Sequence, residues 1–177
     1  MCYNILVKLI LASNSPRRQK LLSLGGWDFI KRASEIDESV LRGETPQEYV
    51  LRLAHEKALA VKQSLEQDSL TDWIILAADT TVVDPNNHAK SGSSGSIILG
   101  KPGDAQEAMD MLMRLRAKNH RVFTGLAVYR LSDGMQVSEV VSTEVPMRNY
   151  SDDEILQYIA SGDPFDKAGA YAIQHSG

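Results

Sequence analysis

Arg17 and Arg18 stand side by side in the stretch LASNSPRRQK, behind Ser13, Ser15 and Pro16 and directly after an apolar run. Hydroxyls, a proline-opened helix N-terminus and two guanidinium forks suit phosphate. The helix N–H groups and dipole meet the anion, and each arginine matches its oxygens in pairs. The same residues also read as architecture, with Ser15 capping a helix that Pro16 opens and the arginines in solvent. Taken alone, the corner slightly favours that plainer reading. A second candidate is Asp79, which ends the apolar run of LAADTTVVD. Strand ends are where open α/β sheets bind ligands. A carboxylate there can hold a divalent cation or take a proton from water, although a turn aspartate is a common alternative.

Lys57 falls four residues after Leu53 and seven after Val50, which puts an ammonium on the inward stripe of an amphipathic helix. It either snorkels to solvent or pairs with a phosphate or carboxylate in an adjacent cleft, and the two readings are balanced. Asp37 and Glu38, in EIDES, are either solvated or join Asp79 in a magnesium site of few carboxylates and several waters. Lys101, in GKP, stays in solvent or reaches a phosphate. The histidines at 55, 88, 120 and 175 lack metal-ligand spacing and read as satisfied or exposed. No Walker-type loop, Rossmann fingerprint or G-x-S-x-G elbow occurs.

These side chains need a frame. Lys8–Ala12 reads as a strand, and Pro16–Leu24 as a helix ended by Gly25-Gly26. Phe29–Ser34 reads as a second strand. Thr45-Pro46-Gln47-Glu48 forms a capping box opening a helix to about Leu65, with Val50, Leu53, Ala54, Val61 and Leu65 as its apolar stripe. Trp73–Ala78 is a strand buried on both faces. Asp84–Ser96 is polar and Gly/Ser-rich, and reads as a mobile hairpin extension within the domain. Asp104–Glu107 opens a helix to about Ala117. Arg121–Leu131 and Gln136–Val145 form a hairpin around Asp133-Gly134, and Ser151–Glu154 caps a last helix ending near Ser161-Gly162. Strand–helix alternation with one late hairpin predicts an α/β domain with a mixed sheet.

A length of 177 residues suits one domain with a full core. A net charge of -4 argues against broad nucleic-acid binding, which needs a basic surface. The single cysteine, Cys2, excludes an intramolecular disulfide and favours a reducing compartment. The apolar N-terminus is too short and interrupted for a membrane span and lacks a signal-peptide cleavage pattern. The cytoplasm, with no membrane partner, is the expected location.

In this order the pieces resemble the Maf family of nucleoside triphosphate pyrophosphatases. The matching stretches are LASNSPRRQKLL, EIDES, YVLRLAHEKA, AADTTV, GKP, VFTGLAV and SGDPFDKAGAYAIQ, collinear from about Lys8 to the end. The resemblance implies one Maf-like pyrophosphatase domain over residues 1–177. Its fold is a mixed α/β one, an elongated twisted sheet flanked by helices, in two lobes with a cleft between them. It implies a divalent cation, Mg2+ or Mn2+, and hydrolysis between the α- and β-phosphates to a nucleoside monophosphate and pyrophosphate. Asp79 becomes the catalytic proton acceptor, and Glu38 with Asp79 the metal ligands. Ser13, Arg17, Arg18, Lys57, Thr80, Lys101, Asp166, Lys167 and Gln174 become the substrate-binding set, with Arg17, Thr80 and Gln174 tied to base preference. SPRR, ADT and AIQ resemble the branch acting on dTTP and UTP.

Two features depart from the pattern. The 84–96 insertion is longer than the family's. The sequence also has His175 where glycine is usual, and it stops short of the family's further strand pair and VGLP-like segment. The resemblance therefore implies C-terminal truncation, and it alone admits a homodimer. The rival readings are a pyrophosphatase for 7-methyl-GTP or for inosine and xanthosine triphosphates, and a non-catalytic regulator of cell division. The intact Arg17, Arg18, Asp79 and Lys101 set argues against the last.

Overall fold

A computed structural model of the chain describes residues 8–33, 35–65, 72–84 and 97–172. Strand β1 (Lys8–Leu11) lies between β2 (Phe29–Lys31) and β3 (Trp73–Val83) and runs parallel to both. Its Leu9 stands opposite Phe29 on one side and Ile74 on the other. A parallel strand flanked on both sides needs apolar residues at consecutive positions, which Leu9, Ile10 and Leu11 supply. β4 (Ile98–Leu99) pairs antiparallel with β3, so the sheet is mixed. β5 (Asn119–Arg130) and β6 (Gln136–Pro146) complete the order β2-β1-β3-β5-β6. Their turn closes through Arg130 N–H to Met135 C=O at 2.9 Å, with Gly134 at φ 72°.

The expected helices form: α1 (Pro16–Leu24), α2 (Pro46–Ser64), α3 (Ala105–Leu115) and α4 (Asp152–Ala160). Asp104 caps α3 by accepting from the Glu107 N–H, and Ser151 with Glu154 forms a complete capping box on α4. At α1 the expectation needs correction. Ser15 holds the N-cap position, but its side chain makes no capping bond. The neighbouring Ser13 hydroxyl accepts the Ser15 N–H instead, at 3.1 Å.

A second correction concerns β3. It does not end at Ala78 but continues through Asp79, Thr80, Thr81 and Val82 to Val83, so Asp79 lies within a strand. The β-branched residues after Asp79 favour extended backbone and pack well on a pleated surface. The 3-10 turns Asp163–Asp166 and Ala168–Ala170, not anticipated, follow α4.

The chain divides into two compact units. One comprises Met1–Val40, Gln47–Asp79 and Gly125–Val140, and the other Leu41–Pro46, Thr80–Thr124 and Val141–Gly177. The first packs the α2 stripe of Ala54, Ala58, Val61 and Leu65 against Ile10, Ile75, Ala77, Ala127 and Tyr129. Fully burying one of its larger aliphatic side chains, such as Ile10, Ile75 or Val61, stabilises by about 1.5–3 kcal/mol. The second gathers Val82, Leu99, Met111, Leu112, Leu115, Tyr150 and Ile155. Of the 84–96 insertion only Asp84 is described. It is buried, its N–H bonds to Ile97 C=O at 2.9 Å, and its carboxylate accepts from Arg114 at 3.1 Å. Residues 85–96 lie outside the described residues. Among the described residues no helix is long and apolar enough to cross a membrane.

Candidate active site

In the first unit, strand alternation decides which groups can meet. Ile75, Ala77 and Asp79 point to one face of β3, and Ile75 and Ala77 pack with the α2 stripe. Asp79 therefore faces the helix that carries Lys57. The Lys57 ammonium donates to Asp79 Oδ1 at 2.6 Å and lies 2.7 Å from Glu38 Oε1. Lys57 is thus paired rather than snorkelling, and its partners are two of the acidic groups singled out in the sequence. The Lys57 and Asp79 side chains retain 13% and 10% of their exposure, whereas Glu38 retains 47%, so the pair is shielded from water while its third member is accessible.

Burial pushes the Asp79 carboxyl above the usual carboxylate range, against the charge and hydrogen bond of Lys57 and the charge of Arg18. Glu38 adds to the upward shift. Burial also lowers the pKa of Arg18, while Asp79 favours its charged form; a guanidinium nevertheless stays protonated at neutral pH. Arg18 Nη1 donates to the buried Ser13 hydroxyl at 3.3 Å, which ties the start of α1 to the end of β1. Arg17 is half-buried and has no side-chain hydrogen bond or ion pair among the described residues. Ser13, Arg18, Glu38, Lys57 and Asp79 thus form one connected set of bonds and charges.

The loop carrying Glu38 is pinned by residues the sequence reading did not single out. Tyr49 donates its hydroxyl proton to Glu38 C=O at 2.9 Å, and Arg52 donates to Ser39 C=O at 2.9 Å. Both lie on α2, so one helix supplies Lys57 and fastens the loop that brings Glu38 to it. Their helical spacing was visible, but a loop partner many residues away is not encoded by periodicity. Asp37 turns aside and accepts from the Ser39 N–H and hydroxyl at 2.9 and 2.5 Å. The structure does not bring it to the lysine.

The further candidates Thr80, Lys101, Asp166, Lys167 and Gln174 belong to the second unit. The Thr80 hydroxyl stands 3.1 Å from that of Thr124, another residue not singled out. Lys101 is exposed beside Gly100, whose carbonyl accepts the Gly169 N–H at 2.9 Å. Lys167 is buried and donates to Asp163 C=O and, at 2.6 Å, to Asp166 Oδ1, so its ammonium holds its own turn together. Gly169, at φ 66°, sits against Val82, where a Cβ would come within 2.9 Å of the valine side chain. Gln174 lies outside the described residues.

Among the described residues no three His, Cys, Asp or Glu side chains gather as a metal site. Glu38 and Asp79 do converge on a single cation position, that of Lys57 Nζ. Two carboxylates suit magnesium, which is commonly held by one or two of them together with substrate phosphates and water. The donor set therefore fits a hard divalent cation.

The family model for Maf-like protein matches residues 8–177. A relative from Anaeromyxobacter dehalogenans (strain 2CP-C) is 44% identical over 172 residues, covering 96% of this chain and 79% of the relative. One from Syntrophus aciditrophicus (strain SB) is 42% identical over 170 residues, covering 96% and 76%. One from Clostridioides difficile (strain 630) is 39% identical over 171 residues, covering 97% and 80%. Each of the three is named dTTP/UTP pyrophosphatase. With a family model matched across nearly its whole length, this chain belongs to the Maf family.

Proposed function

We propose that the chain is a dTTP/UTP pyrophosphatase, releasing the nucleoside monophosphate and pyrophosphate. The observation that carries the reading is the buried Asp79 carboxylate, held 2.6 Å from Lys57 and coupled to Arg18 and Glu38. The names of three relatives at 39–44% identity give the substrate class.

In the proposed reaction a water oxygen attacks the α-phosphorus and the α–β anhydride bond breaks. The bridging oxygen leaves on pyrophosphate. Asp79 takes the proton that the attacking water loses, a task suited to a carboxylate whose pKa burial has raised towards the working pH. Arg17, Arg18 and the Ser13 corner bind phosphate oxygens, and Lys57 neutralises charge that builds as the anhydride opens. Glu38 and Asp79 would hold Mg2+ or Mn2+, which when bound neutralises phosphate charge and lowers the pKa of bound water.

Base preference is assigned to Thr80 and Gln174. A neutral amide can pair at once with a uracil carbonyl and the imide N–H, as donor and acceptor. Cytosine reverses that pattern and would leave the pairing groups unmatched, which can cost orders of magnitude in kcat/KM. We place the reaction in the cytoplasm, in keeping with the single cysteine.

A pyrophosphate-release screen over UTP, dTTP, CTP, ATP, 7-methyl-GTP and inosine triphosphate tests the reading. Comparable turnover of UTP and dTTP, with CTP and ATP poor, is expected. ATP or 7-methyl-GTP as the best substrate would refute the base assignment, and no release from any nucleotide would refute the activity.

A further inference from the structure

Lys57 Nζ occupies the point on which Glu38 and Asp79 converge, 2.7 and 2.6 Å from their carboxylate oxygens. A divalent cation held by both carboxylates would need the same few ångströms, and two cations at such a separation repel. The ammonium sits on a flexible four-carbon stem and can swing to another anion. Glu38 is accessible, at 47% side-chain exposure, so that member of the pair meets solvent. An empty acid pair would leave the buried Asp79 charge to Arg18 alone, against the repulsion of Glu38. The lysine therefore has a role in the free protein distinct from any role towards substrate.

We propose that Lys57 is an exchangeable counter-cation: it neutralises the Glu38–Asp79 pair in the free protein and yields to the divalent cation only when a triphosphate offers the ammonium a new partner. The inference rests on the pyrophosphatase reading and adds an order to it. Metal alone binds poorly because it must displace Lys57 into water. Metal with nucleotide binds well because the displaced ammonium meets phosphate oxygens. The two ligands then favour one another beyond what their mutual affinity in solution gives, and by linkage the effect is reciprocal. The device keeps a buried base covered until substrate is present.

The test is Mn2+ binding to the full chain, read by electron paramagnetic resonance of free Mn2+ without nucleotide and then with non-hydrolysable α,β-methylene-UTP. The proteins are the wild type, Lys57→Met and Lys57→Arg, with Lys57→Gln replacing the first if it misfolds by circular dichroism. Neutralising Lys57 should tighten Mn2+ binding without nucleotide on the order of tenfold and shrink the gain from the analogue by a similar factor. Lys57→Arg, which keeps the charge, should retain weak Mn2+ binding. Equal Mn2+ affinity in the wild type and the neutral variant would overturn the exchange. Pyrophosphate release by the wild type, measured alongside, separates the two readings. Release together with unchanged Mn2+ affinity removes the exchange alone, whereas no release removes the enzyme reading whatever Mn2+ does.

Discussion

A Cβ built on Gly125 would lie 2.4 Å from the carbonyl oxygen of Val50 and 2.5 Å from its carbon. Strand β5 and helix α2 therefore meet main chain against side-chain-free main chain. That close approach seats α2 on the sheet with Val50 and Leu53 fully buried, and α2 carries Lys57 towards Asp79. Gly125→Ala should cost about 3 kcal/mol or more, because backbone atoms rather than a flexible side chain must give way. A drop in Tm of roughly 10 °C by calorimetry is the expected readout. A Tm within a degree or two of wild type would show that the contact is not tight.

Arg18 reaches the Ser13 hydroxyl at 3.3 Å and feels the Asp79 charge, while Arg17 has no side-chain bond among the described residues. If both forks grip phosphate, replacing either with lysine removes paired donors while keeping charge. Affinity for a non-hydrolysable UTP analogue should fall on the order of tenfold by titration calorimetry, about the cost of one charge-assisted hydrogen bond. Unchanged affinity in both variants would return the corner to a plain helix start.

Much of this arrangement was legible in the sequence, and what was not has a physical reason. Pro16 and Gly25-Gly26 bound α1 because proline and glycine act locally, and Ser151 with Glu154 announces α4 in the same way. The inward stripe of α2 placed Lys57 correctly because helical periodicity is also local. The choice between a snorkelling and a paired Lys57 was not local, since it depended on which carboxylates the sheet brought near. The pairings of Thr80 with Thr124, and of His120 with Tyr171, join residues distant in sequence. Nothing in their neighbourhoods marks them.

His120 Nε2 lies 2.6 Å from the Tyr171 hydroxyl, and both side chains are largely shielded from solvent. Burial lowers the pKa of His120 and pushes Tyr171 up to about 12. A histidine with a depressed folded pKa contributes stability that is present above its unfolded value, about 6.5, and lost as pH falls towards the folded value. Melts of the wild type should therefore lose Tm between pH 7.5 and 5 more steeply than those of His120→Gln. Tyr171→Phe should cost about 1–3 kcal/mol at neutral pH by leaving the buried Nε2 without its partner. Parallel pH curves for the wild type and His120→Gln would exclude the titration.

The raised pKa of Asp79 carries the opposite sign. A carboxyl whose folded pKa lies above its unfolded value favours the fold when protonated, and that advantage is lost as pH rises through the folded value. Asp79→Asn, which fixes a neutral side chain, should match wild-type Tm at low pH and exceed it at neutral pH. Wild-type kcat/KM should fall as pH drops through the same range, above the usual value of 3.8, because the base becomes protonated. An Asp79→Asn protein less stable than wild type at neutral pH would mean that the Lys57 pairing outweighs burial.

If the buried Asp79 carboxylate is the proton acceptor in nucleotide hydrolysis, turnover must collapse in Asp79→Asn. Pyrophosphate release from UTP at saturating substrate and metal is measured on a protein whose far-ultraviolet circular dichroism matches wild type. The expected loss in kcat is on the order of 10²- to 10⁴-fold, the usual worth of a positioned general base. A kcat within a few-fold of wild type would contradict it.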